Sequence, residues 1–235
     1  MALDDALLEA RARNEIGDCI RFFQFYPSTV TLGRFQSLKR EVNIELCSKE
    51  GIGVVRRPTG GGTVFHDANG ELTFSVVMGQ TEGTRTIRDA FIRICGGVVE
   101  GLRILGADAT FSPVNDITVS GKKLSGSAQA RRKDALLVHG TVMYDTDIQL
   151  LSRLLVVSKR KLEAKGVPSV EKRVTTLRAE GLPYDLDTVS AALRRGFSSI
   201  LGPLEPAILP AHVSAMALNL HDSLYSTAHH TSMLP

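Results

Sequence analysis

Apolar positions along the chain follow two rhythms, one of three to four residues and one of two, and together they predict interspersed helices and strands. Leu3, Ala6, Leu7 and Ala10 share one face of residues 2–13, which predicts an opening helix. Ile87, Phe91, Ile94, Val98, Leu102 and Leu105 recur in the same way over 84–105, and Gly106 ends that helix. Gly96-Gly97 inside it marks a weak spot or a place where a neighbour packs closely. Shorter helices are expected over 43–50, with Asn43 as cap, over 147–155 and over 187–201. Residues 19–26 and 29–35, rich in β-branched and aromatic residues around Pro27-Ser28, read as a pair of strands. Further strands are expected at 54–56 and at 71–78, the latter entered through the turn signal Asn69-Gly70. Residues 116–119, 123–130 and 135–144 read as an antiparallel meander. From about residue 219 the chain turns polar and reads as a flexible tail ending in STAHHTSMLP. Without a strict β-α rhythm, the expected fold class is α+β: a mixed, largely antiparallel sheet with helices packed on it.

Composition narrows the function classes. With 235 residues, 43% apolar and 23% charged, the chain suffices for one large domain with a sizeable core. No apolar run approaches the roughly 18–20 residues of a membrane span. The aspartates of MALDDALLEA stand where a signal peptide carries basic residues, so a cytoplasmic location without a membrane partner is expected. A net charge of +3 is too small to argue for nucleic acid. Three scattered cysteines without a CxxC suggest neither a zinc site nor a disulfide framework, and the six histidines form no metal constellation.

Three stretches carry candidate chemistry. RRPTGGGTVFHD (56–67) puts three glycines behind two arginines, and bare backbone can turn successive N–H groups toward one anion. Arg56 and Arg57 alternate in a strand, so only one can face that nest, where it could clamp a phosphate or carboxylate. A tight hairpin turn flanked by surface arginines is the competing explanation. No GK[ST] follows the glycines, so this is not a P-loop. In SPVNDITVSGKKLSGSAQARR (112–132) a hairpin across Ser120-Gly121 would bring Asp116 back toward Lys122 and Lys123, with small residues beyond that would leave room for a ligand. A lysine there can stabilise charge developing in a transition state, or be a solvated residue at a hairpin tip. In LLVHGTVMYD (136–145), His139 interrupts an apolar strand, where a histidine is more often a satisfied core residue than a catalyst.

Taken in order, these stretches resemble the lipoate–protein ligase family of the biotin/lipoate ligase superfamily. MALDDALL is similar to the family's opening helix, TLGRFQSLKREVN to its second strand and turn, and RRPTGGGTVFHD to its lipoate-binding loop. NDITVSGKKLSGSAQ and HGTVMYDTD are similar to its catalytic strands, and KLEAKGVPSVEKRVTTL (161–177) to a segment diagnostic of ligases. The resemblance implies a class II synthetase-like catalytic domain that activates lipoate with ATP and Mg²⁺ to lipoyl-AMP. The lipoyl group then passes to a lysine of a carrier such as a lipoyl domain or an H-protein-like protein. It makes Lys123 the catalytic lysine, neutralising both the lipoate carboxylate and the α-phosphate. Arg57, Gly62, Thr63, Val64 and Phe65 become the nucleotide-contacting loop, together with Lys123 and Asp116. Asp116 is expected to orient Lys123 or to hold Mg²⁺, and Lys133 to cover the adenylate. The acyl chain is expected against Gly60, Gly61 and His66 on one side and Ser125, Gly126, Ala128, His139 and Gly140 on the other.

Two departures from the family pattern shape the expected organisation. A strand usually precedes the opening helix, whereas here Met1 already stands inside the helix motif, so the expectation is either an internal start or a lost first strand. About 35 residues beyond Ile200 are too few for the C-terminal accessory domain of many ligases. The expectation is a catalytic domain over 1–218 and a tail over 219–235, with no accessory domain and with activation left to a separate accessory subunit or to preformed lipoyl-AMP. The rivals are an octanoyltransferase drawing on acyl carrier protein, some of which use a cysteine nucleophile, and a non-catalytic subunit that binds lipoyl-AMP or a carrier. No cysteine lies between Gly106 and Pro235, which favours the ligase. A biotin ligase fits less well, because its loop alternates glycines with arginines.

Overall fold

A computed structural model describes residues 1–156 and 169–234. Part of the diagnostic 161–177 segment, residues 161–168, lies outside the described residues.

The architecture is α+β, with a six-stranded sheet and a three-stranded sheet. The large sheet uses β1 (Cys19–Phe23), β5 (Glu71–Gly79), β6 (Ala109–Ser112), β7 (Asp116–Val119), β8 (Lys122–Arg132) and β9 (Ala135–Met143). Their order is β1-β5-β9-β8-β7-β6, antiparallel throughout, so the expected meander over 116–144 forms its centre. The small sheet joins β2 (Thr29–Leu32) to β3 (Gly53–Arg56) in parallel and to β4 (Val64–His66) antiparallel. Residues 19–23 and 29–32 are therefore not a strand pair. Pro27 interrupts the run, Tyr26 is solvent-exposed, and each strand goes to a different sheet.

α4 (Ile87–Ile104) carries its apolar stripe onto the large sheet through Ile94, Val98 and Leu102, all fully buried. It crosses α7 (Leu186–Leu201) at glycine. A side chain at Gly97 would overlap Phe197, and one at Gly101 would overlap Leu193. Of the two readings of the mid-helix glycines, close approach of a neighbour is the one observed. α1 (Ala2–Ala12) lies on the other face of the sheet, where Ala6, Leu7 and Ala10 pack with Val77 and Leu137. A third cluster sits under the small sheet, with Val30, Leu32 and Phe65 against Leu151 and Leu154 of α5 (Ile148–Leu154). α2 (Leu38–Glu41) and α3 (Ile44–Lys49) bridge β2 and β3, and the Asn43 side chain caps α3 by accepting from the Leu46 N–H. α6 (Val170–Arg173) runs beside β8.

Residues 219–234 do not form the frayed tail expected from their polarity. α8 (Ala211–Leu220) packs Val213, Met216 and Ala217 on α1, a π turn follows over His221–Tyr225, and α9 (Ala228–Ser232) closes the described chain. Tyr225 is buried and donates its hydroxyl proton to Asp5 Oδ2 at 2.9 Å. Polar composition hid this docking because the contacts are hydrogen bonds to buried charged groups, which leave no apolar periodicity.

Candidate active site

The glycine stretch and the central strands of the large sheet face each other across a cavity of about 400 Å³. One wall is the turn between β3 and β4, with Arg57, Gly61, Gly62 and Thr63, continued by Val64, Phe65 and His66 of β4. The other wall carries Asp116, Lys123, Gly126, Ala128, His139 and Gly140 from β7, β8 and β9. Of the residues expected at the site, Gly60 and Ser125 do not line the cavity. Ser125 is fully buried and points to the helix-covered side, because Gly126 and Ala128 take the cavity side of a strand whose side chains alternate. Lys133 sits exposed at the β8–β9 turn, at the far end of β8 from Lys123, and does not line the cavity.

Strand alternation separates the two arginines as expected, and Arg57 is the one on the loop side. Its guanidinium is nevertheless engaged by the protein itself. Nη2 donates to the Gly60 and Gly62 carbonyls at 2.7 and 2.6 Å, Nε to Thr59 Oγ1 at 3.0 Å, and Nη1 to Thr31 O and Oγ1 at 3.2 Å each. The loop thus wraps carbonyls around Arg57, in place of a run of N–H groups around an anion. Gly61 sits between those two carbonyls at φ +90°, in the left-handed region, and a Cβ there would come 3.0 Å from Arg57 Nη2. Burial pulls the Arg57 pKa down to about 10, so it stays charged at neutral pH.

Arg57 is also the meeting point of two buried relays. In the first, Thr59 Oγ1 lies 2.7 Å from His139 Nε2, and His139 Nδ1 lies 2.9 Å from Asp4 Oδ2. In the second, Thr31 Oγ1 lies 2.9 Å from His66 Nε2, and His66 Nδ1 lies 3.1 Å from Glu71 Oε1. A carboxylate can only accept, so each histidine donates from Nδ1, and a neutral ring in that tautomer accepts at Nε2 from the threonine hydroxyl. Each threonine oxygen then accepts from Arg57, which leaves both chains consistent in direction. Asp4 also accepts from Arg21 Nη2 at 2.6 Å and Ser75 Oγ at 2.7 Å, while Thr73 Oγ1 donates to Glu71 at 2.5 Å. Burial works against the Asp4 carboxylate, but the His139 hydrogen bond and the Arg21 charge outweigh it and hold its pKa well below the usual range. Burial lowers the pKa of His139, which therefore stays neutral.

Opposite the loop, Lys123 Nζ pairs with Asp116 Oδ1 at 2.6 Å, and Arg173 Nη2 meets Asp116 Oδ2 at 3.3 Å. A Cβ at Gly126 would land against the Lys123 ammonium, so the small residue makes room for the lysine over the strand. The Thr175 N–H donates to the Lys123 carbonyl at 2.9 Å, bringing the chain after α6 alongside β8. Asp116, expected to orient Lys123 or to hold Mg²⁺, is ion-paired with Lys123. Both of its oxygens face cations, and among the described residues no group of three His, Cys, Asp or Glu side chains could hold a metal. The described residues do not build a Mg²⁺ site by themselves.

Sequence reasoning missed Asp4, Thr31, Thr59, Glu71 and Arg173. A signal existed for Asp4, which stands one helical turn before Leu7 and Leu8 on a helix whose buried face includes both.

The cavity thus has a glycine loop on one side and a lysine–aspartate pair on the other, in a mixed, largely antiparallel α+β fold. The lipoyl protein ligase A/B catalytic-domain model matches residues 1–198, and the chain belongs to that family. It is 31% identical to the octanoyltransferase LipM of Geobacillus kaustophilus over 97% of this chain and 91% of that protein. To the probable lipoate-protein ligase A of Mycoplasma genitalium it is 38% identical, over 77% of this chain and 53% of that protein, so the chain spans about half the length of that relative. Among solved structures, the bipartite lipoate protein ligase of Thermoplasma acidophilum, described with its E2 lipoyl domain, is 33% identical. The TM-score is 0.85, and the match covers 100% of this chain and 92% of that one. A lipoate-protein ligase A bound with ATP is 32% identical with a TM-score of 0.85, over 99% of this chain and 94% of that one. The protein is thus an enzyme of the lipoate ligase/octanoyltransferase family. No helix among the described residues is long and apolar enough to cross a membrane.

Proposed function

We propose that the protein is the catalytic unit of a lipoate–protein ligase. It joins lipoate to ATP as lipoyl-AMP and passes the lipoyl group to a lysine of a lipoyl-domain or H-protein-like carrier. The observation that carries this reading is the position of Lys123, held by Asp116 on the cavity wall facing the glycine loop. An ammonium there can lie against the lipoate carboxylate and the α-phosphate together and lower the repulsion between two anions that must meet. Gly61, Gly62 and Thr63 offer flat backbone to the adenylate, while Arg57 shapes that backbone from behind and is not itself a free anion clamp. Gly126, Ala128 and Gly140 leave a narrow slot for the acyl chain. Mg²⁺, where it accompanies ATP, would be held mainly by the phosphates. A separate accessory subunit is the proposed helper in activation.

The second reading is octanoyl transfer from acyl carrier protein, favoured by the LipM relatives that match along almost their whole length. A thioester route needs an accessible thiolate. Cys47 and Cys95 are buried, none of the three cysteines lines the cavity, and burial raises all three thiol pKa values, that of Cys95 to about 11. This supports the ligase reading over a cysteine-dependent transferase.

The test offers an apo lipoyl domain three donors and follows its mass: lipoate with ATP, synthetic lipoyl-AMP, and octanoyl-acyl carrier protein. Modification by lipoyl-AMP, and by lipoate with ATP alone or with an accessory subunit added, supports the ligase. Modification from the octanoyl donor alone overturns it.

A further inference from the structure

Arg56 is fully buried, yet its partners among the described residues are all main-chain carbonyls. It donates to Gly33, Arg34 and Gln36 in the turn after β2, at 3.0, 3.2 and 2.6 Å. It also donates to His230 and Thr231 of α9, at 3.1 and 2.8 Å. A buried guanidinium is costly unless such donors are met, so these two segments are tied to each other through one side chain. The turn in question touches the glycine loop. The Arg34 N–H donates to the Thr59 carbonyl at 2.8 Å, and Thr63 Oγ1 donates to Gln36 Oε1 at 3.2 Å. The same chain segment reaches the loop's scaffold a second time. Tyr225 donates to Asp5, the neighbour of the Asp4 that holds His139, and its ring meets His230 edge-on at 5.2 Å between centroids.

We infer that residues 221–232 are a positioning strap for the glycine loop, anchored by Arg56 to the 33–36 turn and by Tyr225 to α1. Arg56, the last residue of β3, and Arg57, the next one, hold the loop from opposite sides of the chain, Arg57 directly and Arg56 through the turn behind it. The strap touches no reacting atom; its effect is on the shape and rigidity of the loop that receives the acyl donor. That last clause rests on the proposed function, whereas the mechanical link does not.

The test uses the full chain with Arg56→Met, Arg56→Lys and Tyr225→Phe, and reads two quantities. The first, hydrogen exchange of the Arg34 and Gln36 amides without ligand, the former bonded to the Thr59 carbonyl of the loop, is independent of the reaction. The second is KM and kcat for carrier modification from synthetic lipoyl-AMP. Arg56→Met is expected to speed exchange at Arg34 and Gln36 by about five-fold or more, and Tyr225→Phe by less, as loss of hydrogen bonds of ordinary strength would. Exchange in β9 stays as in the parent. KM rises about five-fold with kcat changed less than two-fold, and Arg56→Lys restores part of both. Unchanged exchange at Arg34 and Gln36 in folded Arg56→Met overturns the strap. Should that variant fail to fold, unchanged exchange in Tyr225→Phe overturns it instead. Faster exchange with unchanged KM supports the strap and counts against the loop's assigned role in binding the acyl donor.

Discussion

Asp4 Oδ2 and His139 Nδ1 lie 2.9 Å apart although 135 positions separate them in the chain. The contact ties the opening helix to the central strand of the large sheet, and through Thr59 and Arg57 it reaches the glycine loop. Because Asp4 is fully buried and serves His139, Arg21 and Ser75 together, its loss leaves several polar groups stranded. Asp4→Ala is expected to cost roughly 3–5 kcal/mol of folding stability, the range for breaking a buried pair from one side. Denaturant unfolding of the variant measures it, and a cost below about 1 kcal/mol would mean that the relay is not cooperative.

The same pair gives a pH dependence of stability. Burial lowers the His139 pKa, so below the ordinary histidine value of about 6.5 the unfolded chain takes up a proton that the folded chain refuses. The unfolded state then binds more protons, and stability falls as pH falls through that window. The Asp4 carboxylate, held low in the folded state, adds a further loss only at more acid pH. Tm measured between about pH 7.5 and 5.5 should drop less steeply in His139→Gln than in the parent, because glutamine can donate to Asp4 and accept from Thr59 without titrating. Equal slopes would remove His139 as the source.

The cysteines supply a prediction of silence. Cys19, Cys47 and Cys95 replaced together by Ala or Ser should leave carrier modification intact, since none of them lines the cavity. Some stability is lost with the buried Cys47 and Cys95 side chains, so activity is compared per folded molecule. A folded triple variant without activity would revive the thioester route.

Arg173 binds the second oxygen of Asp116. On the proposed function Lys123 would turn toward the adenylate, and Arg173 would then keep the Asp116 carboxylate paired. Arg173→Met is expected to lower kcat for transfer about ten-fold with little change in Tm, because the side chain is part-exposed and its role is local. Steady-state transfer from lipoyl-AMP checks this, and an unchanged kcat would confine Arg173 to the surface.

Much of the fold was legible because it is written in periodicity. The α4 stripe and the 116–144 meander come directly from spacing, and the Asn43 cap from residue type. Lys123, Asp116 and the glycine loop also stood out, since a lysine–aspartate pair across a hairpin and a glycine triplet are local patterns. The scaffold behind them was not legible. Asp4, Thr31, Thr59 and Glu71 act through contacts between distant segments, and single polar residues carry no period that announces a partner. The residues after 219 illustrate the same limit: their polarity suggested solvent, and it is used instead to bind buried charges.

The most direct test of the central claim measures Lys123→Ala in both half-reactions, lipoyl-AMP formation from lipoate and ATP and transfer from synthetic lipoyl-AMP to an apo lipoyl domain. The parent provides the reference, with an accessory subunit present in the first assay if the parent needs one. The Lys123 side chain is about a quarter exposed, at 26%, so the variant should fold. Both rates are predicted to fall by about a hundred-fold or more, the scale set by removing one transition-state charge stabiliser. A folded variant that transfers at the parent's rate would contradict the account and move the catalytic role away from Lys123.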